Sequence, residues 1–328
     1  MAQVLLLAES DVKAAVSMAE AIDAVEGAFL EVAGGRAAMP PKLYLDFPRY
    51  QGDLRIMPAA LGSRLAGVKV VNSHPRNPDR GLPSVAAAFL LFSQETGRLL
   101  AAMGATYLTG LRTAAASAVA TKHLARSDVS SLGLVGAGVQ AGFHLEAMLE
   151  VREILRVLVW APAPDRARRD SFLAEMRARF PEPAIEPAEE AAEAAQAGVV
   201  CTTTPSRAPV VPDGAVGPGT HINAVGADAP GKQELDPATL RRARIIVDDW
   251  EQGRHGGEVN LALASGELAA SQIAGSLAEV VSGARPGRIS EAEITIFDST
   301  GLAIEDLAVA SLVYGRATRE GLGTSVDI

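Results

Sequence analysis

Apolar residues recur at helical spacing from Asp11 to Val32, at Val12, Ala15, Val16, Ala19, Ile22, Val25, Ala28, Phe29 and Val32. That stripe predicts one amphipathic helix, closed by Gly34 and Gly35. The pattern then shortens. Apolar or alternating runs at 42–47, 54–57, 67–71 and 85–92 are separated by Pro40 and Pro41, Gly62 and the turn-rich stretch 74–81. They predict a mostly antiparallel sheet. Residues 110–126 are alanine-rich and predict a helix that bridges two domains. From 130 onward strand and helix alternate. Strands are expected at 132–135, 155–160, 198–202, 221–225, 244–247 and 294–297. Helices are expected at 140–151, 166–180, 189–196 and 303–320. The proline- and alanine-rich stretch 181–195 reads as a surface connection. Strand–helix alternation predicts a parallel sheet covered on both faces. The fold class is therefore α/β, a doubly wound parallel-sheet domain of Rossmann type, joined to an α+β domain.

Composition narrows the function. A chain of 328 residues suggests about two domains. With 48% hydrophobic and 21% charged residues it is an ordinary globular protein, of a size that suits an enzyme. The net charge of −9 makes nucleic acid and acidic membrane poor partners. One cysteine, Cys201, excludes an intrachain disulfide and a multi-cysteine metal site, and a reducing, cytoplasmic setting is the simplest expectation. The N-terminal stretch lacks the basic segment of a signal peptide. No uncharged apolar run approaches the length of a membrane span.

The stretch SSLGLVGAGVQAGFHLEAM carries Gly136, Gly138 and Ala141 in a G-x-G-x-x-A pattern, directly after a predicted strand and opening a predicted helix. In that context Gly136 permits a tight turn, Gly138 lets a pyrophosphate approach the backbone, and Ala141 lets helix and strand pack. The next strand ends at Ala161, where a carboxylate would ordinarily accept from the adenosine 2′-hydroxyl of NAD. Without that acid, and with Arg166, Arg168 and Arg169 nearby, NADP is favoured over NAD. Asp165 reads as an N-cap of the following helix.

Charged groups in apolar settings are the candidates for substrate. Lys69 sits inside LAGVKVVNSH, either snorkelling at an edge or aimed into a site. Arg55 and Arg112 are similarly isolated and suit a small carboxylate, although spacing alone equally allows structural ion pairs. Asp228 follows a strand end and could exchange protons near a bound ligand, or cap a glycine-rich turn. The loop 201–206 also follows a strand end. His74, His221 and His255 lack metal-ligand spacing, so no metal is expected. Asp248 and Asp249 read as caps, and Cys201 as a small strand filler.

Eight blocks together resemble the ornithine cyclodeaminase/mu-crystallin family: GDLRIMPA, VKVVNSHPRNPDRGLPS, TGLRTAAASAVATKHLA, GLVGAGVQA, TTTPSRAPVV, THINAVGADAPGKQELD, VDDWEQGRHGGEVN and ITIFDSTGLAIEDLAVA. The last four resemble in particular its archaeal-type alanine dehydrogenase branch. The resemblance covers almost the whole chain. It implies nicotinamide-linked chemistry at the Cα–N bond of small amino or imino acids. It also implies a homodimer joined through its substrate domains, and a discontinuous substrate-binding and dimerisation domain, 1–118 with 299–328, around a dinucleotide domain, 119–298. It puts the family lysine at Lys69 and the catalytic aspartate at Asp228. Arg112 then lies near the substrate carboxylate and cofactor, and Arg55 matches the arginine of the alanine dehydrogenase branch. Cofactor contacts fall on Arg112, Thr113, Gly136, Gly138, Val139, Gln140, Ala161, Thr202, Asn223, Val225, Lys232 and Ser299. Arg55 stands where the ornithine enzymes of the family carry an acid, which argues against long diamino substrates. The leading expectation is an alanine dehydrogenase-like enzyme making an amino acid from a 2-oxo acid, ammonia and reduced cofactor. Behind it come a reductase of pyrroline- or piperideine-2-carboxylate, an ornithine cyclodeaminase, and a non-catalytic NADPH-binding protein of mu-crystallin type.

Overall fold

A computed structural model describes residues 3–62 and 64–327. The chain runs β1 (Gln3–Leu7), α1 (Glu9–Ala14), α2 (Met18–Ala33), β2 (Ala37–Ala38), β3 (Leu43–Phe47), β4 (Gly52–Leu61), β5 (Leu65–Ser73), β6 (Val85–Ser93), β7 (Leu99–Gly104) and α3 (Thr106–Leu124). It continues with β8 (Ser131–Val135), α4 (Val139–Val151), β9 (Arg156–Trp160), α5 (Arg166–Arg179), β10 (Ala184–Pro187), α6 (Ala191–Ala194), β11 (Val199–Thr202), β12 (Arg207–Val211) and β13 (His221–Ala224). Then follow β14 (Gln233–Leu235), α7 (Pro237–Arg242), β15 (Arg244–Val247), α8 (Trp250–Gly256), α9 (Asn260–Ser265), β16 (Ile273–Ser276), α10 (Leu277–Val281), β17 (Thr295–Asp298), α11 (Ala303–Glu320) and β18 (Thr324–Asp327).

The residues form two compact units. The first comprises the chain up to Thr113 together with Leu302 onward, and the second comprises Ala114–Gly301. The first unit is one sheet in the order β18-β1-β7-β6-β5-β4, with β2 and β3 both on the far side of β4. Its pairings are antiparallel except β1 with β7, which is parallel. Helices α2 and α11 pack together, and α11 covers β4 and β5. Strand register puts Met57, Lys69, Phe89 and Met103 on one face, and all four are buried. The opposite face carries Leu43, Leu45, Leu54, Ile56, Val70 and Leu90, none of them fully buried.

The single helix expected over 11–32 is in fact two. Ser17 breaks it: its hydroxyl accepts from Glu20 N–H at 3.3 Å, while the Glu20 carboxylate accepts from Ser17 N–H at 2.9 Å, a reciprocal cap that starts α2. The stretch 181–195 is more than a connection, because Ala184–Pro187 pairs with β9 as an edge strand. Strands β1, β7 and β18 were not expected. β18 is mostly exposed and polar, and is defined by its pairing with β1 rather than by its own sequence pattern.

The second unit is a wholly parallel sheet ordered β10-β9-β8-β11-β13-β17-β15-β16. Its central strands β11, β13 and β17 are buried along their full length, which explains their unbroken apolar runs. From β8 the chain winds outward through β9 and β10. It then returns to β11 on the other side of β8. Ligand crevices form at such a reversal, outside the carboxyl ends of the strands. No helix among the described residues is long and apolar enough to cross a membrane.

Candidate active site

The glycine turn lies at that reversal, between β8 and α4. Gly136 has φ +118°, a conformation L side chains rarely adopt, and a Cβ there would lie 2.7 Å from Thr203 Oγ1 at the end of β11. Gly138 differs. It caps α4 with φ −96°, and a Cβ on it would meet no protein atom within 4 Å. Nothing in the protein's own packing requires glycine there, whereas a phosphate approaching the free N–H groups of a 13-residue helix does. Val139, which follows, is 70% exposed. Gln140 Oε1 and Ser299 Oγ are buried without a hydrogen-bond partner, which in a folded core calls for an acceptor or donor from outside the chain. These features fit a dinucleotide.

Other expected cofactor residues divide by what their side chains already do. Ala161 is buried just past β9. Of the arginines beside it, Arg166 pairs with Glu189 at 3.0 Å, and Arg169 donates to Ala188 O at 2.9 Å and pairs with Asp170. Asp165 makes no side-chain cap to α5, contrary to expectation: the 3₁₀ turn Ala163–Asp165 leads straight into that helix. Asn223 is turned into the core, where its Nδ2 donates to Thr121 Oγ1 at 3.0 Å and its Oδ1 meets His221 Nε2 at 3.2 Å. Thr202 Oγ1 donates to the Glu234 carboxylate at 2.7 Å. Thr113 Oγ1 donates back to Thr109 O, leaving its lone pairs for another donor. Val225 is buried and donates its N–H to Thr202 O. Asp228 and Lys232 form an ion pair at 2.5 Å in the loop after β13.

In the first unit two of the three expected cations, Lys69 and Arg112, meet at acids on α11. Lys69 Nζ lies 2.8 Å from both carboxylate oxygens of Asp306. Arg112 donates through Nε to Asp306 at 2.9 Å and through NH1 to Glu305 at 2.6 Å. All four residues are buried. Burial, with the nearby Arg112 guanidinium, pushes the Lys69 ammonium down to about 7, while Asp306 opposes that fall. Glu305 and Asp306 were missed by the sequence reading. Their signal was two adjacent acids in the first turn of a helix whose following positions are apolar, where a helix N-terminus favours negative charge. Arg55 is not part of this cluster. It makes a forked pair with Asp53 at 2.8 and 3.1 Å and lies over the Tyr44 ring.

The residues expected to be structural are placed as follows. Cys201 is buried, and burial pushes its thiol up to about 12, far from a nucleophile. Asp248 accepts from Thr300 N–H and Gly301 N–H, and Asp249 caps α8. His74 packs on Phe47, His221 is buried, and His255 lies on α8. No group of three His, Cys, Asp or Glu among the described residues could hold a metal.

Sheet order, glycine turn and helix N-terminus define a protein of the Rossmann-type dinucleotide-binding class. Comparison with known sequences narrows this. The profile of the ornithine cyclodeaminase/mu-crystallin family matches residues 2–321, and the chain belongs to that family. It is 48% identical to an alanine dehydrogenase of Archaeoglobus fulgidus over 324 residues, 99% of this chain and 98% of that one. An archaeal alanine dehydrogenase dimer solved with bound NAD superposes with a TM-score of 0.95 at 47% identity, covering 100% of both chains. A Δ1-pyrroline-2-carboxylate reductase of Thermococcus litoralis, solved with NADH and L-proline, also gives 0.95 at 40% identity, covering 98% of this chain and 100% of that one.

Proposed function

We propose that this chain is a nicotinamide-dependent oxidoreductase acting at the Cα–N bond of small amino or imino acids, with alanine dehydrogenase-like activity. The observation that carries the reading is the buried Lys69–Asp306–Arg112–Glu305 cluster, in a chain alignable end to end with an alanine dehydrogenase. A reduced nicotinamide held at the glycine turn would supply hydride. The protein's own groups do the rest. Arg112 presents a guanidinium already fixed by two carboxylates, so it can hold a substrate carboxylate without first being ordered. Lys69, pushed down by burial to about 7, can polarise a carbonyl or imine and exchange its proton. Asp228 moves protons and water, and Lys232 keeps its carboxylate in one place. Arg55 contributes charge at the acidic end of the substrate.

The cofactor reading has two supports that pull apart. Ala161 offers no acid to repel a 2′-phosphate, yet Arg166 and Arg169 are committed to Glu189 and Asp170. Both solved relatives carry NAD or NADH. Both cofactors are therefore expected to serve, with NADPH preferred over NADH by less than about tenfold in kcat/KM. The second reading, a cyclic imino acid reductase, is favoured by the likeness to the T. litoralis enzyme. The half-exposed apolar sheet face bearing Leu43, Leu45, Leu54, Ile56, Val70 and Leu90 supports a homodimer built on that face.

The test is a substrate panel with NADH and NADPH in parallel. Pyruvate plus ammonia should oxidise either cofactor. Pyrroline-2-carboxylate turned over with pyruvate inert would install the second reading. Ammonia released from ornithine with catalytic NAD would overturn both.

A further inference from the structure

Three buried acids that the proposed reaction does not use are linked in series beside the ends of β11, β13 and β17: Glu234, Glu258 and Asp298. The Glu234 carboxylate accepts four hydrogen bonds. Oε1 takes Thr204 N–H at 2.6 Å and Thr204 Oγ1 at 2.7 Å, and Oε2 takes Thr202 Oγ1 at 2.7 Å and Gly226 N–H at 2.8 Å. It thus ties the end of β11 to the end of β13. The Glu258 carboxylate accepts from the N–H groups of Glu234 and Leu235, at 3.0 and 2.7 Å. Asp298, ending β17, accepts from the N–H groups of Glu258 and Val259, at 2.8 and 3.3 Å. Glu258 and Asp298 thus each grip the backbone that carries the acid before it.

The segment bracketed by this ladder is 226–232, the loop carrying Asp228 and Lys232. Glu234 grips its entry at Gly226. Asn260 grips its exit, with Oδ1 accepting from Gly231 N–H at 3.2 Å and Nδ2 donating to Lys232 O at 3.0 Å. A Cβ on Gly226 would lie 2.6 Å from the Glu234 carboxyl group, so the backbone is drawn against it. Burying three carboxylates is costly, and an apolar filling of the same shape would hold a turn more cheaply. What the acids add is direction, because each fixes two N–H groups in space. We infer that Glu234 is a positioning residue that holds the Asp228–Lys232 pair in place for proton transfer, and that Glu258 and Asp298 brace it.

The inference rests on the proposed role of Asp228, so Asp228→Asn is measured beside Glu234→Gln. An amide at 234 must set its NH2 against one of two backbone N–H donors, one on each oxygen. Three readouts are taken for each: cofactor sites per chain and Kd by NADPH fluorescence, KM for pyruvate, and kcat. For Glu234→Gln, kcat should fall about 10- to 100-fold while sites per chain, Kd and KM stay within about twofold. A merely structural role would instead lower sites per chain and kcat in proportion, and that result overturns the inference. Should Glu234→Gln fail to fold, Asn260→Ala removes the exit grip, together with the Asn260 Nδ2 bond to Gly257 O, and should show the same split at about tenfold. Parental kcat in the folded variant, with Asp228→Asn inactive, overturns the inference alone. A fully active Asp228→Asn overturns the role of Asp228 and the inference with it.

Discussion

Lys69 shows what an isolated charge in an apolar strand means once its partner is known. The sequence left two readings, a snorkelling edge residue or a group aimed into a site. Strand register decides against the first, because Lys69 lies opposite Met57 and Phe89 on the helix-covered face and is wholly buried. Its partner could not be read locally, since Asp306 lies 237 residues away. The consequence is testable through pH. Charged Lys69 is the form that polarises a carbonyl, so kcat/KM should fall as pH rises through about 7. Asp306 favours the charged form. In Asp306→Asn that support is gone, and the limb should move to lower pH by on the order of one unit. A limb left in place would show that Lys69 does not govern it.

Among the elements, buried histidines give the sheet and its covering helix a pH dependence of their own. His144 on α4 lies between Gln140 O and Ser117 Oγ, and His221 on β13 between Thr295 and Asn223. Burial pushes them down to about 4 and about 3. An unfolded chain protonates both near 6.5, so between about 6.5 and 4 the unfolded state takes up protons that the folded state refuses. The histidines' share of the stability should therefore fall as pH drops through that window, by roughly 3 kcal/mol for each at the acid end. Asp298 acts on the other side. Burial, with Asp248 nearby, pushes it up to about 8, so its contribution is lost progressively as pH rises from about 4 to about 8, and buried Glu234 and Glu258, also raised, act in the same direction. Removing one histidine isolates its share: from about pH 6.5 down to about 4.5, the urea midpoint of His144→Gln should fall less, or rise more, than that of the parent. The same pH dependence in parent and variant would contradict this. The strong periodic elements were legible: the glycine turn, α4, α5, the central parallel strands and α11. The break at Ser17 was missed, although Ser17 and Glu20 carry a capping signature inside the apolar stripe that was read as one helix. β18 was not, because only β1 gives it a partner.

For the whole molecule, the net charge of −9 conceals a local reversal. The proposed ligands are anions, and the groups proposed to meet them are cations drawn from distant parts of the sequence, Arg55, Lys69 and Arg112. Composition made a nucleic acid a poor expectation but could not reveal this. Nor could it reveal that the first unit takes back the chain from Leu302, which returns Glu305 and Asp306 to the strands they serve. The family resemblance supplied that expectation, and α11 supplies its physical reason: an apolar helix face packed on β4 and β5, with two acids in its first turn. This buried cluster is proposed to act on the reacting carbon–nitrogen centre. Lys69→Ala tests it most directly, measured as turnover of pyruvate and ammonia by enzyme shown to bind reduced cofactor at one site per chain. Turnover should fall by about a thousandfold or more with cofactor binding intact; near-parental turnover would contradict the account.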